Sequence, residues 1–453
     1  MSGDLIMPAI ASERDEAPID PAAVLDGGRW SGLQVCVAAL CSLAIALDGF
    51  DNQLLGFVVP VLMPEWSVPR EVFAPVIAAT IICMCVGTIL AGRLGDTIGR
   101  RPTLIGSVLL FGVGTLLTSL AEGPWTLALC RCMAALGMGG AMPNATALLA
   151  EYAPARHRSI AITVGIACIP LGGFVGGLIV APLLPALGWR ALFVIGGIAP
   201  LVVAAAMAIL MPESPGYLAA RPRLHHRLHR ILSRFDPTLD MRRGFKTPVS
   251  TVLASRTSIF DAGVRFDTFA LWAANFFCLL AVFIMFSWAP TMLSQAGFGL
   301  TLAAAGLASF NFGGIFGALA GAALMDRWGS RRPLTAMATC GAVASLLVWA
   351  AIETDASGTI VVAAIALQGI FIVGLQVTLF ALAANIYPES SRTTGIGGAL
   401  AVGRLGAIAS SLVGAKFLSL GAAPLMLLVA ASAAITAGAL LLIRAHIPHR
   451  RDR

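Results

Sequence analysis

Charge is scarce in this sequence. Only 12% of its 453 residues are Asp, Glu, Lys or Arg, while 58% are hydrophobic. A soluble globular chain carries about a quarter charged residues, so most of this surface is not built to meet water and the chain reads as an integral membrane protein. The alternation of apolar and polar residues over about ten positions that marks barrel strands is absent, which excludes a β-barrel. There is no GxxxxGK[ST] run, so ATP use is not expected. Histidine is confined to His157, a central stretch (His225, His226, His229) and the C-terminal end (His446, His449). No catalytic or metal-binding constellation therefore lies at membrane depth, and an enzyme is not expected. Residues 1–30 hold acidic residues and prolines but no apolar core, so no cleavable signal peptide is expected there.

What is present is a series of twelve apolar runs: about 33–62, 73–92, 103–121, 125–150, 159–185, 190–211, 268–294, 301–324, 334–352, 358–386, 395–418 and 422–443. Each is long enough to cross a bilayer as a helix. The expected organisation is an N-terminal tail (1–30), six spans (31–211), a central loop (212–267), six further spans (268–443) and a basic tail (444–453). Of the 30 basic residues 28 are Arg, and they gather at span ends. That is a signature of membrane topology and not of nucleic-acid binding. Only Arg70 and Arg190 fall in the loops of the second side, so both termini are expected in the cytoplasm. The nine cysteines all lie in the runs and read as apolar filling, neither a disulfide framework nor a metal site. In the central loop Leu224, Leu228, Ile231, Leu232 and Phe235 recur at helical spacing between arginines. This predicts an amphipathic helix lying on the membrane face, with its histidines as interfacial polar residues.

The two halves repeat. Gly92, Asp96, Gly99, Arg100 and Arg101 follow the second span; Asp326, Gly329, Arg331 and Arg332 follow the eighth, with Asp96 and Asp326 in register. Equivalent loops imply two homologous six-helix bundles related by an axis along the membrane normal. These doubled loops resemble the loop signature of the major facilitator superfamily, and Gly188-Trp189-Arg190 and Pro212-Glu213-Ser214 are similar to its further marks. A narrower resemblance is carried by Leu47-Asp48-Gly49-Phe50-Asp51, by Arg131 with Pro143-Asn144, by Glu151-Tyr152, by Ser287-Trp288 with Pro290-Thr291, and by Tyr387-Pro388 through Arg392 to Gly403-Arg404. Together these are similar to the aromatic acid:proton symporter branch. The sequence departs from it at Asn52-Gln53, where small or hydroxyl residues are usual, and at Arg331, where a related carrier has His.

The resemblance implies an all-α polytopic fold of twelve transmembrane helices. It also implies a secondary transporter that imports benzoate, a hydroxybenzoate or a related aromatic acid with protons by alternating access. Such a carrier needs no cofactor beyond the proton gradient, sits in the inner membrane and works as a monomer. A carrier of another organic acid, or an efflux antiporter, is the alternative.

The charges inside the runs are the candidate site. Asp48 and Asp51 lie three residues apart, on one helix face. A bare carboxylate in hydrocarbon costs roughly 2.5–3.5 kcal/mol on insertion scales, so the pair reads either as a protonation switch or as a structural hydrogen-bonding group. Glu151 either joins the proton path or forms a gate salt bridge with Arg156, Arg158 or Arg93. Arg131 and Arg404 place one cation in each half, either to hold a substrate carboxylate or to lock onto Asp48 or Asp51. Asn144, Asn275, Asn311 and Gln376 are candidate substrate contacts, with Trp272, Phe276, Phe277, Phe283, Phe286, Phe310, Phe312 and Phe380 as candidate walls. Gly92, Asp96, Gly99, Arg100, Arg101, Asp326, Arg331, Arg332 and Arg392 are expected to form the cytoplasmic gate.

Overall fold

A computed structural model of the chain describes residues 18–26, 30–237, 239, 244–246, 260–261, 264–387 and 392–447. The long helices are α1 (Gly32–Glu65), α2 (Phe73–Ile98), α3 (Arg100–Thr118) and α4 (Pro124–Tyr152), then a 53-residue stretch, Arg158–Leu210. Gly188, with φ of 75°, breaks that stretch into α5 (158–187) and α6 (189–210). The second half contains α7 (Arg265–Gln295), α8 (Leu300–Trp328), α9 (Arg331–Glu353), α10 (Gly358–Ile386), α11 (Arg392–Ser419) and α12 (Ala422–Leu442). Eleven helical stretches among the described residues are long and apolar enough to cross a membrane, and the one broken at Gly188 supplies two crossings. Twelve spans result.

Helices are the form that satisfies every backbone N–H and C=O within the segment when no water is at hand. The entry to α1 is fixed by a capping box: the Ser31 hydroxyl accepts from the Gln34 N–H, and the Gln34 side chain accepts from the Ser31 N–H. The halves pack alike. In the first, α1 lies along α5, α2 along α4 and α3 along α6; in the second, α7 lies along α11, α8 along α10 and α9 along α12. The motif loops match as well, for Gly99 (φ 113°) and Gly329 (φ 73°) join α2 to α3 and α8 to α9 in conformations that other residues rarely adopt.

The bundles meet through α1 with α7, α2 with α11 and α5 with α8. Their bonds concentrate in the middle and at the end away from the termini. Between α1 and α2, Arg70 donates to the Gln295 side chain (2.8 Å) and to the Leu418 carbonyl (2.9 Å). Thr301 of α8 donates to the Ala181 carbonyl of α5 at 3.5 Å. Gln53 and Asn311, both fully buried, exchange two hydrogen bonds of 3.0 and 2.7 Å between α1 and α8. At the end that carries the termini, Arg100, Arg101 and Arg331 bond within their own halves.

The central loop corrects one expectation. A helix does form, His225–Leu232, but Leu228 and Leu232 are buried against Ile19, Leu25, Leu218, Ala219 and Phe245. Leu228 and Leu232 are thus covered by the chain itself, by its N-terminal segment, the short helix before them and Phe245. Ile19 pairs with the strand-like segment at Phe245 through Ile19 N–H to Gly244 O (3.0 Å) and Lys246 N–H to Ile19 O (2.8 Å).

The α1–α7 crossing leaves no room for a side chain at Gly56, where an added Cβ would collide with the Phe286 carbonyl oxygen. Gly56→Val should therefore hold the bundles apart at this end. In a chain carrying cysteines at positions 181 and 301, bifunctional cross-linking is expected to fall sharply with Gly56→Val; unchanged cross-linking would count against this packing.

Candidate functional site

A cavity of about 150 Å³ lies between the bundles, lined by α1, α2, α4, α5, α7, α10 and α11. Sites for drug-sized ligands run to about 300–1,000 Å³, so this one suits a small cargo. Its walls are Met84, Met138, Met142, Phe283, Phe286, Phe380 and aliphatic side chains. Four polar residues break that apolar lining: Asp48, Asn52, Gln376 and Arg404.

Asp48 lies halfway along α1 and is buried, with its Oδ1 lacking any hydrogen-bond partner. Arg404 enters from α11 in the other bundle. Its Nη1 donates to the Thr88 hydroxyl (2.7 Å) and toward the Met84 carbonyl (3.5 Å), both on α2. Among the described residues the Nε–Nη2 edge makes no hydrogen bond, and no ion pair joins Arg404 to Asp48. A carboxyl group and a guanidinium therefore share one low-dielectric cavity without direct contact.

Asp51 sits differently. One turn from Asp48 and fully buried, it accepts from Arg131 Nη1 at 2.8 Å and from the Thr115 hydroxyl at 2.8 Å, while Arg131 Nη2 reaches its backbone carbonyl at 3.2 Å. The Phe193 ring lies 5.8 Å from the guanidinium. Arg131 is thus locked to Asp51 inside the N-terminal bundle, the second of the two readings open to it; it does not line the central cavity but borders a small pocket beside it with Asn52, Phe283 and Phe286.

Of the amides proposed as contacts, only Gln376 lines the cavity. Asn144 donates to the Gly140 and Ala91 carbonyls (2.9 and 3.3 Å), tying α4 to α2. Asn275 donates to Leu271 within α7 at 2.9 Å, and Asn311 is held by Gln53. Asn144 and Asn311 thus tie helices together, and Asn275 bonds within its own helix. Among the aromatic candidates Phe283, Phe286 and Phe380 line the cavity, whereas Phe312 and Trp272 do not.

Glu151 also stands apart from it. Its carboxylate pairs with Arg100 Nε at 3.3 Å and accepts from the Ser214 hydroxyl and the Gly216 N–H, instead of meeting Arg156, Arg158 or Arg93. Around it, Glu213 accepts from the backbone N–H groups of Arg101 (2.9 Å) and Ser214 (2.8 Å), and burial pushes its carboxyl above the usual range. Asp96 and Arg100, 3.8 Å apart, face solvent. Arg101 reaches the Ala208 carbonyl, and Arg331 reaches Leu441 at 3.3 Å. Arg100, Arg101 and Arg331 thus brace each bundle internally. Gly92 lies on α2 with open space around it, Asp326 and the exposed Arg332 lie at the matching turn of the second half, and the Arg392 side chain falls outside the described residues.

Sequence reasoning missed Asn52 and Thr88. Asn52 was discoverable, since it follows Asp48 by four positions and so shares its helix face.

The Major Facilitator Superfamily pattern matches residues 41–361 and 307–453. The chain belongs to that superfamily. It is 33% identical over 408 residues to the gallate transporter of Pseudomonas putida, covering 90% of each chain, and 34% identical over 407 residues to the 4-hydroxybenzoate transporter PcaK of Pseudomonas aeruginosa, covering 89% of this chain and 90% of that one. It is similar in fold to the inward-open xylose transporter XylE of E. coli, with a TM-score of 0.71 at 17% identity, covering 91% of this chain and 96% of that one. The superfamily is one of transporters, so the chain is not an enzyme, as the absence of catalytic constellations led us to expect.

The Asp51–Arg131 pair gives a direct test. Removing one partner of a buried ion pair strands the other charge at about 3–5 kcal/mol. Arg131→Met alone should lower the melting temperature of the detergent-solubilised protein by several degrees, and adding Asp51→Asn should recover much of that loss. Equal melting of the single and double variants would dissolve the coupling.

Proposed function

We propose that this chain imports a small aromatic carboxylate together with protons, by alternating access of its two bundles. One observation carries the proposal: an unpaired carboxylate, Asp48, faces a half-free guanidinium, Arg404, in an aromatic- and Met-walled cavity shared by both bundles. The free edge of Arg404 fits a carboxylate through two parallel N–H···O bonds. Phe283, Phe286 and Phe380 offer the ring an apolar slot. The relatives named as transporters of gallate and 4-hydroxybenzoate support the same cargo class.

Proton coupling follows from cost. With no partner at Oδ1, Asp48 is expensive as a bare anion and far cheaper as an acid. An anionic cargo on Arg404 adds a like charge to the cavity, and a proton on Asp48 removes the repulsion. Cargo and proton then load together, and the neutralised cavity is the one that reorients. Asp51 remains paired with Arg131 and orients the helix that carries Asp48.

The bundles are bonded at the end remote from the termini. With both termini in the cytoplasm of a cell whose inner membrane holds the chain, this is the inward-facing state. Reorientation breaks the Arg70 and Gln53–Asn311 contacts and brings the motif loops at Asp96–Arg101 and Asp326–Arg332 together. No bound cofactor takes part, and one chain holds the whole cavity. One proton with one monoanion moves no net charge, so the pH and substrate gradients drive it; a second proton would add about 2.3 kcal/mol per 100 mV of membrane potential.

The test is uptake of radiolabelled benzoate and 4-hydroxybenzoate into proteoliposomes with an acidic exterior. Accumulation should collapse when a protonophore dissipates the gradient. Asp48→Asn should abolish gradient-driven accumulation yet retain exchange of internal for external cargo, and Arg404→Ala should weaken apparent affinity at least tenfold, about 1.4 kcal/mol. Normal accumulation by Asp48→Asn would remove Asp48 from the proton path.

A further inference from the structure

The buried and half-buried amides within the helices divide into two groups. Gln34, Gln53, Asn144, Asn275, Asn311 and Gln368 each make a hydrogen bond to protein. Asn52 and Gln376 make none to the described residues, and both line the central cavity from opposite bundles, α1 and α10. In a helix bundle that satisfies its other buried amides, two polar groups left open to one cavity point at what the cavity holds. Asn52 lies one helical turn beyond Asp48, on the side of α1 that leads toward the bonded end of the bundles.

We infer that Asn52 and Gln376 are specificity residues that select an aromatic acid carrying a ring hydroxyl. This rests on the proposal that the cargo is an aromatic carboxylate held by Arg404. A carboxamide is the right group for a phenol: its oxygen accepts the phenolic O–H and its NH₂ donates to the phenolic oxygen, so one amide satisfies either sense of the bond. With the carboxylate on the free edge of Arg404, a hydroxyl on the ring is the cargo's remaining polar group, and Asn52 and Gln376 are the remaining uncharged polar groups of the wall. A cargo with hydrogen or methyl in place of the hydroxyl leaves these amides unmatched, and a site built to bond a hydroxyl rejects an analogue that lacks one.

The experiment measures affinity in purified, detergent-solubilised protein by calorimetry for benzoate, 4-methylbenzoate, 3-hydroxybenzoate, 4-hydroxybenzoate and 3,4-dihydroxybenzoate. 4-Methylbenzoate matches 4-hydroxybenzoate in size without its hydrogen bonds. The parent protein should bind at least one hydroxylated acid about tenfold or more tightly than benzoate and 4-methylbenzoate. Asn52→Leu and Gln376→Leu should each erase most of that preference, bringing hydroxylated and unsubstituted acids within about twofold of one another, and a melting transition like the parent's shows that the variants are folded. Asn52→Thr and Gln376→Met serve as milder variants if either leucine variant fails to purify. Equal affinity of the parent for hydroxylated and unsubstituted acids would overturn the inference and leave the aromatic-acid proposal standing, as would variants that weaken all five ligands alike. Binding of none of the five would overturn both.

Discussion

Keeping charge in hydrocarbon is the constraint on which this molecule's centre depends, and one turn of α1 solves it in two opposite ways. Asp51 is matched by the Thr115 hydroxyl and by Arg131, whose guanidinium lies against Phe193. That cluster ties α1 to α3, α4 and α6, and so fixes the helix face on which the next carboxylate is presented. Asp48 is left unmatched at Oδ1 and turned to the cavity. A buried pair adds little net stability over an apolar replacement of equal volume. Its value here is positional, since it holds an uncompensated charge at a fixed place.

The second bundle answers with the reverse arrangement. Arg404 is the cavity's cation, and part of its guanidinium is spent across the interface on Thr88 and Met84 of α2. It is at once a group that lines the cavity and a contact between bundles. On the proposed function, a cargo held by it would also act on the α2–α11 contact, because the same planar group serves both.

The fold was legible from residue patterns because membrane helices are dictated by length, hydrophobicity and the positions of Arg, and the doubled Asp–Gly–Arg–Arg loops disclosed the repeat. The site was legible as residue types but not as pairings. Asp48, Asp51, Arg131 and Arg404 stood out because charges are rare at that depth. Their sorting into one matched pair and two unmatched charges depends on which helix faces meet, and nothing in a single sequence reports rotation about a helix axis. The same blindness affected the amides: Asn144, Asn275 and Asn311 are as conspicuous as Gln376, yet only Gln376 turns to the cavity. The loop helix His225–Leu232 misled for another reason. Its amphipathic spacing is real, but such spacing states only that one face needs cover, and Ile19, Leu25 and Phe245 from elsewhere in the chain supply it.

The motif loops bear on how the two states can be balanced. In each half the charged turn between the second and third helices is braced within its own bundle, Arg100 on Glu151 and Arg101 on Ala208 and Glu213 in the first, Arg331 on Leu441 in the second. Braced in this way, each turn is held within its own bundle. Under the proposed alternating access, the states would differ in the contacts at the far end: a backbone-close crossing at Gly56, the Gln53–Asn311 pair and the Arg70 bonds. Hydrogen bonds each worth about 0.5–1.5 kcal/mol net are strong enough to close that end and weak enough to be replaced by water when it opens. A carrier needs that balance, since a tighter closure would trap it in one state whatever cargo or proton it held.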